Sequence, residues 1–332
     1  MKLRYKILIG LVVVLCISAV GLAVAKSAWD REFLVGYDPS APLNAVVRGE
    51  EERPDYHRID LTFDGMPGQA VPTLLAEPRD MSGPFPCIIF LYGINQKKEF
   101  LDDIAAVYTK AGFAICCQEQ YTKGERKLPG KNPVRDLFAL RRRAALNVIE
   151  TRRLVDYLQT RSEIAHDRIY LLGASYGAIT GCTAAAFEPR IAAAVMTYGG
   201  GNLPLLFDSE ASKKELGILH NPVSWVMQYV MAPADPIRYV SKISPRPSLF
   251  QSGSYDQIVP AASGEALYEA ASEPKKFIMY DSDHIGLDEA HVYKVLNDTL
   301  AWLKEIDASK TRVAATDVNK PQSAPEGALS SN

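Results

Sequence analysis

Cysteine and histidine are both scarce in this chain, five of each in 332 residues. Cys16, Cys87, Cys116, Cys117 and Cys182 show neither the paired spacing of a zinc site nor the regular framework of a disulfide-stapled domain. They read as buried thiols, with a bridge between neighbouring strands as the alternative. An excess of basic residues is also missing. The 37 Lys and Arg stand against 39 Asp and Glu, a formal charge of −2, which argues against nucleic-acid binding. Apolar residues, by contrast, are plentiful. At 47% hydrophobic content the chain can bury a substantial core, as one large domain or two small ones.

The N-terminus carries a leader. Lys2, Arg4 and Lys6 precede an uncharged run over residues 7–25, and Lys26 ends it. Ala23-Val24-Ala25 has the A-x-A form of a signal-peptide cleavage site. The run also approaches the length of a membrane span, so retention as a tether through residues 7–25 fits equally well. Cys16 follows Leu15 rather than a small residue, which argues against lipoprotein processing. In either case the basic end stays inside and the rest is exported. The rest of the chain is then periplasmic or secreted after cleavage, or anchored outside the cytoplasm without it.

Residues 26–56 contain Pro39, Pro42 and Pro54 among charged groups and read as an extended arm with little regular structure. Residues 57–63 and 70–75 alternate apolar and polar side chains around Asp64-Gly65 and Pro67-Gly68, which predicts a hairpin at the antiparallel edge of a sheet. Strand and helix signals then alternate. Apolar runs at 87–91, 113–117, 169–172, 191–196, 248–251 and 276–280 suit parallel strands. Helical spacing marks residues 100–111, 136–160, 265–271 and 291–306. Arg141, Arg142 and Arg143 are expected on a solvated face of the second helix. The alternation predicts a mostly parallel sheet of eight strands with helices on both faces. Residues 201–240 interrupt it. Asn221-Pro222 reads as a helix start, and Val223, Trp225, Val226, Met227, Tyr229, Val230 and Met231 behind it are apolar almost all round. This segment is expected to be a cap with an apolar inner wall, or otherwise a buried connecting helix. From Asp307 the chain turns polar without periodicity, and the tail 307–332 is expected to be disordered.

One stretch organises the rest. Ile169-Tyr170-Leu171-Leu172 leads into Gly173-Ala174-Ser175-Tyr176-Gly177 and then into a segment rich in small residues. That is a strand, a sharp turn and the start of a helix that can pack closely on a sheet. The turn would expose the Ser175 hydroxyl, and the Tyr176 N–H at the helix start could face an oxyanion. In this motif the chain resembles the α/β-hydrolase superfamily, over residues 59–306. Gly112-Phe113-Ala114, Lys123-Gly124-Glu125-Arg126 and Asp167-Arg168-Ile169 look most like its dienelactone-hydrolase and acetyl-esterase branch. Because the nucleophile here is serine, the likeness to cysteine-using dienelactone hydrolases concerns fold more than substrate.

The resemblance implies the chain order nucleophile, acid, histidine, with acid and base on loops at the carboxyl ends of strands. That order removes His57 and His166. His220 precedes every plausible acid-bearing strand end, and His291 falls in a helical pattern. His284 remains, in the polar loop Asp281-Ser282-Asp283-His284-Ile285-Gly286 after a strand. Asp256 lies in Gly253-Ser254-Tyr255-Asp256-Gln257-Ile258-Val259-Pro260, which resembles the family's G-x-x-D-x-x-V-P segment. Its rivals are Asp281 and Asp283, on the wrong loop, and Asp235, ahead of the strand. The second oxyanion donor is expected from the loop Tyr92-Gly93-Ile94-Asn95-Gln96, most plausibly the Ile94 N–H. Tyr92 stands where the family commonly has histidine. The implied activity is hydrolysis of a small-molecule carboxylic ester by Ser175, His284 and Asp256, with no metal or cofactor. A thioesterase, a serine peptidase or a catalytically silent binding module on the same fold are the alternatives.

Overall fold

Strands that are apolar on every residue need cover on both faces of their sheet, and the observed architecture supplies it. A computed structural model describes residues 2–286 and 288–318, without the side chains of 2–4, 6–11, 13 and 313–318. The chain opens with α1 (Lys2–Arg31), then β1 (Val46–Glu52), β2 (Tyr56–Met66) and β3 (Gln69–Pro78). Alternation follows: β4 (Phe85–Leu91), α2 (Leu101–Thr109), β5 (Ala114–Gln118), α3 (Pro133–Leu158), β6 (Ile164–Ala174), α4 (Tyr176–Phe187) and β7 (Ile191–Thr197). Three short helices intervene: α5 (Leu203–Phe207), α6 (Glu210–Leu216) and α7 (His220–Met231). The chain then returns through β8 (Ser248–Gly253), α8 (Ala261–Ala270), β9 (Lys275–Tyr280) and α9 (Glu289–Val318).

The sheet order is β1-β2-β3-β5-β4-β6-β7-β8-β9. Pairs from β1 to β5 are antiparallel, and those from β5 to β9 are parallel. Strand alternation splits the core. In β4, Cys87, Ile89 and Leu91 face a cluster with Val148, Leu154 and Val155 of α3 and Ala178 and Cys182 of α4. Ile88 and Phe90 face the opposite cluster, with Leu101, Ile104 and Tyr108 of α2 and Trp302 and Leu303 of α9. Helix ends follow local chemistry. The Asn132 side chain accepts from the Arg135 N–H, with Pro133 in the first turn of α3. Gly112, at φ +87°, turns the chain out of α2 and lets the Phe113 N–H reach the Tyr108 carbonyl at 3.1 Å.

Several expectations need correction. The sheet has nine strands rather than eight, because the supposedly irregular arm supplies β1. That strand is exposed along its whole length. Arg48 ties it down, donating to Asp60 at 2.8 Å and Glu125 at 2.6 Å, and its charged side chains guard a free sheet edge. The tail expected from Asp307 is helical to Val318, and Asp307 itself accepts from the Tyr170 hydroxyl at 2.8 Å; residues 319–332 lie outside the described residues. Asn221 sits inside α7 rather than capping it. The reading of buried thiols holds for Cys87, Cys116, Cys117 and Cys182, whereas Cys16 is exposed; all five are free, with the Cys87 and Cys116 sulfurs 4.0 Å apart.

The C-terminal end of α1 is fastened to the body. Arg141 of α3 donates to the Trp29 carbonyl at 3.0 Å and to Asp30 at 3.1 Å, and its guanidinium lies 3.7 Å from the Trp29 ring centroid. Among the described residues no helix is long and apolar enough to cross a membrane. The expected tether through residues 7–25 falls partly outside the description, since the side chains of 7–11 and 13 are not among those described.

Candidate active site

The carboxyl end of β6 delivers Ser175 into a turn with almost no room. A Cβ on Gly177 would stand 1.9 Å from the Leu91 carbonyl oxygen, and one on Gly173 would stand 2.4 Å from the Gly177 carbonyl oxygen. Only glycine lets α4 start so close to the sheet. Ser175 takes φ 54° and ψ −121°, a strained conformation for a residue with a side chain. Its N–H is fixed to the Thr197 carbonyl at 2.8 Å. The hydroxyl is thereby lifted above the strand ends.

Two loops at the same rim meet it. His284, from the loop after β9, places Nε2 2.9 Å from Ser175 Oγ. Its Nδ1 is 2.6 Å from Asp256 Oδ2, in the loop after β8. Asp256 is held in turn by the N–H groups of Ile258 and Val259, each 2.8 Å from Oδ1. Both side chains are buried. The Tyr198 ring stands edge-on to His284, with centroids 5.8 Å apart. Its hydroxyl bonds to Ser282 Oγ at 2.6 Å and to His291 Nε2 at 2.5 Å. Burial pushes the Tyr198 pKa up to about 12, so the phenol keeps its proton and the histidine loop keeps that tie. His291 is thus half-buried behind the site rather than a plain surface group.

The other candidates sit elsewhere. His57 lies between Glu50 and Glu52 on the sheet edge. His166 bonds to the Arg161 carbonyl, and His220 to the Phe207 carbonyl. Asp235 accepts from the N–H groups of Asn202 and Leu203 ahead of α5. Asp283 accepts from Gln257 N–H, and Asp281 from Ser254.

The loop after β4 passes directly over the serine. A Cβ on Gly93 would lie 3.5 Å from Ser175 Cβ, and the Gly93 N–H is spent on Gln96 Oε1 at 2.9 Å. Among the described residues nothing accepts from the N–H of Ile94 or of Tyr176. Tyr92 points below the loop, donating to Glu119 and accepting from the Gln120 N–H at 2.7 Å.

Arg143 escaped the reading of the sequence. Expected in solvent, it is buried, as is Arg141; only Arg142 of the three is exposed. Arg143 donates to the Ile94 carbonyl at 3.2 and 3.3 Å and to Gln120 Oε1 at 2.8 Å, and its guanidinium lies 4.6 Å from the Tyr176 ring centroid. It makes no ion pair among the described residues, and burial pushes its pKa down. The one hint in the sequence was its place beside the apolar residues Ala144, Ala145 and Leu146.

Two family models match the chain in overlapping halves. The acetyl xylan esterase model covers residues 40–201, and the prolyl oligopeptidase family model covers residues 147–309. The acetyl xylan esterase 1 structure from Thermoanaerobacterium sp. superposes with a TM-score of 0.64 at 17% identity, over 84% of this chain and 93% of that one. The chain has the α/β-hydrolase fold. Among curated relatives of the chain, the uncharacterized protein YfhR of Salmonella typhi is 31% identical over 155 residues, 46% of this chain and 52% of its own. This chain therefore spans about half the length of that relative. Esterase YjfP of Escherichia coli is 25% identical over 219 residues, 61% of this chain and 82% of its own.

Two cavities meet at Ser175. One, of about 260 Å³, is bounded by Phe90, Phe100, Ile104, Leu172 and Leu296 and reaches His284. The other, of about 230 Å³, lies under the cap and is bounded by Leu140, Leu203, Leu206, Phe207 and Met231, reaching Tyr176. The cap wall thus comes mainly from α5. Of the apolar residues expected from α7, Trp225 and Tyr229 are exposed and only Met231 lines the cavity.

Proposed function

We propose that the protein is a serine hydrolase that cleaves carboxylic esters through an acyl-enzyme. The observation that carries this reading is the unbroken chain from Asp256 through His284 to Ser175, at 2.6 and 2.9 Å. A serine hydroxyl is a poor nucleophile until a base takes its proton, and that base needs a group to fix its tautomer. Asp256 accepts from Nδ1–H, leaving Nε2 free to take the Ser175 proton as Oγ attacks the ester carbon. His284 then returns that proton to the leaving alcohol, and water cleaves the acyl-enzyme by the same route. The N–H groups of Ile94 and Tyr176 stabilise the negative oxygen of each tetrahedral intermediate, each worth about 3 kcal/mol. Arg143 acts through both donors as a positioning residue, bound to the carbonyl of one and stacked on the ring of the other. The names of the matched esterases support the reaction class.

The test is hydrolysis of p-nitrophenyl butyrate by the protein and by Ser175→Ala. The variant should lose ~10⁴-fold or more in kcat. Activity that survives the substitution would remove Ser175 from the mechanism. Thioester and anilide analogues in the same assay separate the esterase from a thioesterase or peptidase. We place the catalytic domain outside the cytoplasm, on the strength of the basic residues and uncharged run at the N-terminus. Recovery of the full-length chain in the cytosolic fraction of its host would contradict that placement.

A further inference from the structure

Resting on the esterase reading, we infer that the substrate is an ester apolar on both sides of the scissile bond, its acyl chain under the cap and its alcohol group against α9. Ile94, Ser175 and Ile258 border both cavities, so a single ester can lie across the serine with one half in each. Both spaces far exceed the ~10–15 Å³ that one water needs. Among the described lining residues neither cavity has an acidic or basic side chain, apart from His284 itself.

Most of the polar groups present are already engaged; among the described residues the exceptions are the buried Tyr176 hydroxyl under the cap and the exposed Asn95 side chain at the other cavity's rim. Thr299 donates to Gln251 at 3.2 Å, and Thr197 to the same oxygen at 2.6 Å. Under the cap, Ser212 donates to the Phe207 carbonyl at 3.1 Å and Thr180 to the Tyr176 carbonyl at 3.1 Å. A sugar or an ionised group would lose its water here and gain few partners. An alkyl or aryl group only gains.

The chemistry assigns the halves. When the bond from the carbonyl carbon to the alkoxide oxygen breaks, that oxygen takes the proton carried by His284 Nε2, while the Ser175 Oγ–acyl bond remains. The leaving alcohol must therefore lie on the His284 side, which is the cavity against α9. The carbonyl oxygen points to the Ile94 and Tyr176 N–H groups. The acyl chain takes the remaining direction, into the cavity that Tyr176 borders under α5 and α7.

The experiment is a matrix of unactivated esters, acetyl to octanoyl on one axis and methanol, butanol, hexanol and benzyl alcohol on the other, followed by proton release. Glucose pentaacetate serves as the polar arm. For the wild-type protein, kcat/KM should rise about fourfold per added methylene on either axis until each cavity fills. Leu206→Trp should reduce the hexanoyl-to-acetyl ratio at least tenfold whatever the alcohol. Leu296→Trp should do the same for the hexyl-to-methyl ratio whatever the acyl group. Equal effects of both variants on both axes, or wild-type preference for the sugar acetate, would overturn the inference alone. Because the wild-type matrix is decisive without the variants, a variant that fails to fold does not rescue it. Hydrolysis of no ester at all would overturn both this inference and the reading beneath it.

Discussion

Replacing Arg143 with methionine should slow turnover without weakening substrate binding. The substitution keeps an apolar side chain of similar reach and removes every donor. The Ile94 carbonyl loses bonds of 3.2 and 3.3 Å, Gln120 Oε1 loses one of 2.8 Å, and Tyr176 loses the guanidinium 4.6 Å from its ring centroid. Deleting an oxyanion donor outright costs about 3–4 kcal/mol. Here the donor survives but is less well held, so roughly half of that is expected, a loss of ~10–100-fold in kcat. Neither cavity is bounded by Arg143, and KM should change less than about threefold. Two acceptors left without a donor cost on the order of 1–3 kcal/mol each. Part of that is offset because burying the charge is itself unfavourable, as the lowered Arg143 pKa shows. The measurements are kcat and KM with p-nitrophenyl butyrate, the thermal midpoint, and the affinity for an alkyl trifluoromethyl ketone, which forms a tetrahedral adduct. That affinity should fall in step with kcat/KM, and Arg143→Lys, which can reach one acceptor, should fall between. A lowered thermal midpoint with unchanged kcat and ketone affinity would refute the argument and leave Arg143 a support of the fold alone.

Three further outcomes are expected. Asp256→Asn should lower kcat about 10⁴-fold while the protein stays folded, because the amide favours the wrong histidine tautomer; a loss below tenfold would show that Asp256 does not orient His284. Gly177→Ala forces a methyl group to within 1.9 Å of the Leu91 carbonyl oxygen, and should destabilise by ~3 kcal/mol or more; an unchanged denaturation midpoint would contradict the close approach of α4 to β4. Glu125 is held down to about 2, first through its hydrogen bond with Arg48. Its folded pKa lies below the ordinary carboxylate value, so its stabilisation is complete above pH ~4.5 and is lost as the pH falls toward 2. Its half-exposed position limits this to less than ~1 kcal/mol. Glu125→Gln should flatten the thermal midpoint's decline across that window, and an unaltered slope would rule out the pairing.

What the sequence could and could not disclose follows from what a linear pattern records. Periodicity reports burial, so the doubly covered strands and the turn around Ser175 were legible. β1 was not, because it is exposed along its length and is held by a main-chain ladder and by Arg48, neither of which leaves an apolar signature. The last turns of α9 were missed for the same reason, being a mostly polar continuation of an amphipathic helix. The cap shows the converse failure. α7 looked like the substrate wall because it is apolar all round, yet it turns Trp225 and Tyr229 outward and leaves the inner wall to the short Leu203–Phe207 helix.

Arg143 is the more instructive case, since charge in a helix ordinarily signals solvent. Its partners are a carbonyl and a side-chain amide, and no carboxylate at helical spacing announced them. A buried cation satisfied by neutral acceptors can be found only when loops distant in sequence are brought together. The residues of the proposed triad, which meet at one rim of the sheet, span such distances too, 109 residues from Ser175 to His284 and 28 from Asp256 to His284. Their convergence was nonetheless readable, because the fold fixes the order of such residues along the chain. Position in a fixed topology can be inferred from sequence, whereas a contact specific to this molecule cannot. The expected dependence of turnover on Arg143 therefore rests on this chain's own packing rather than on its fold.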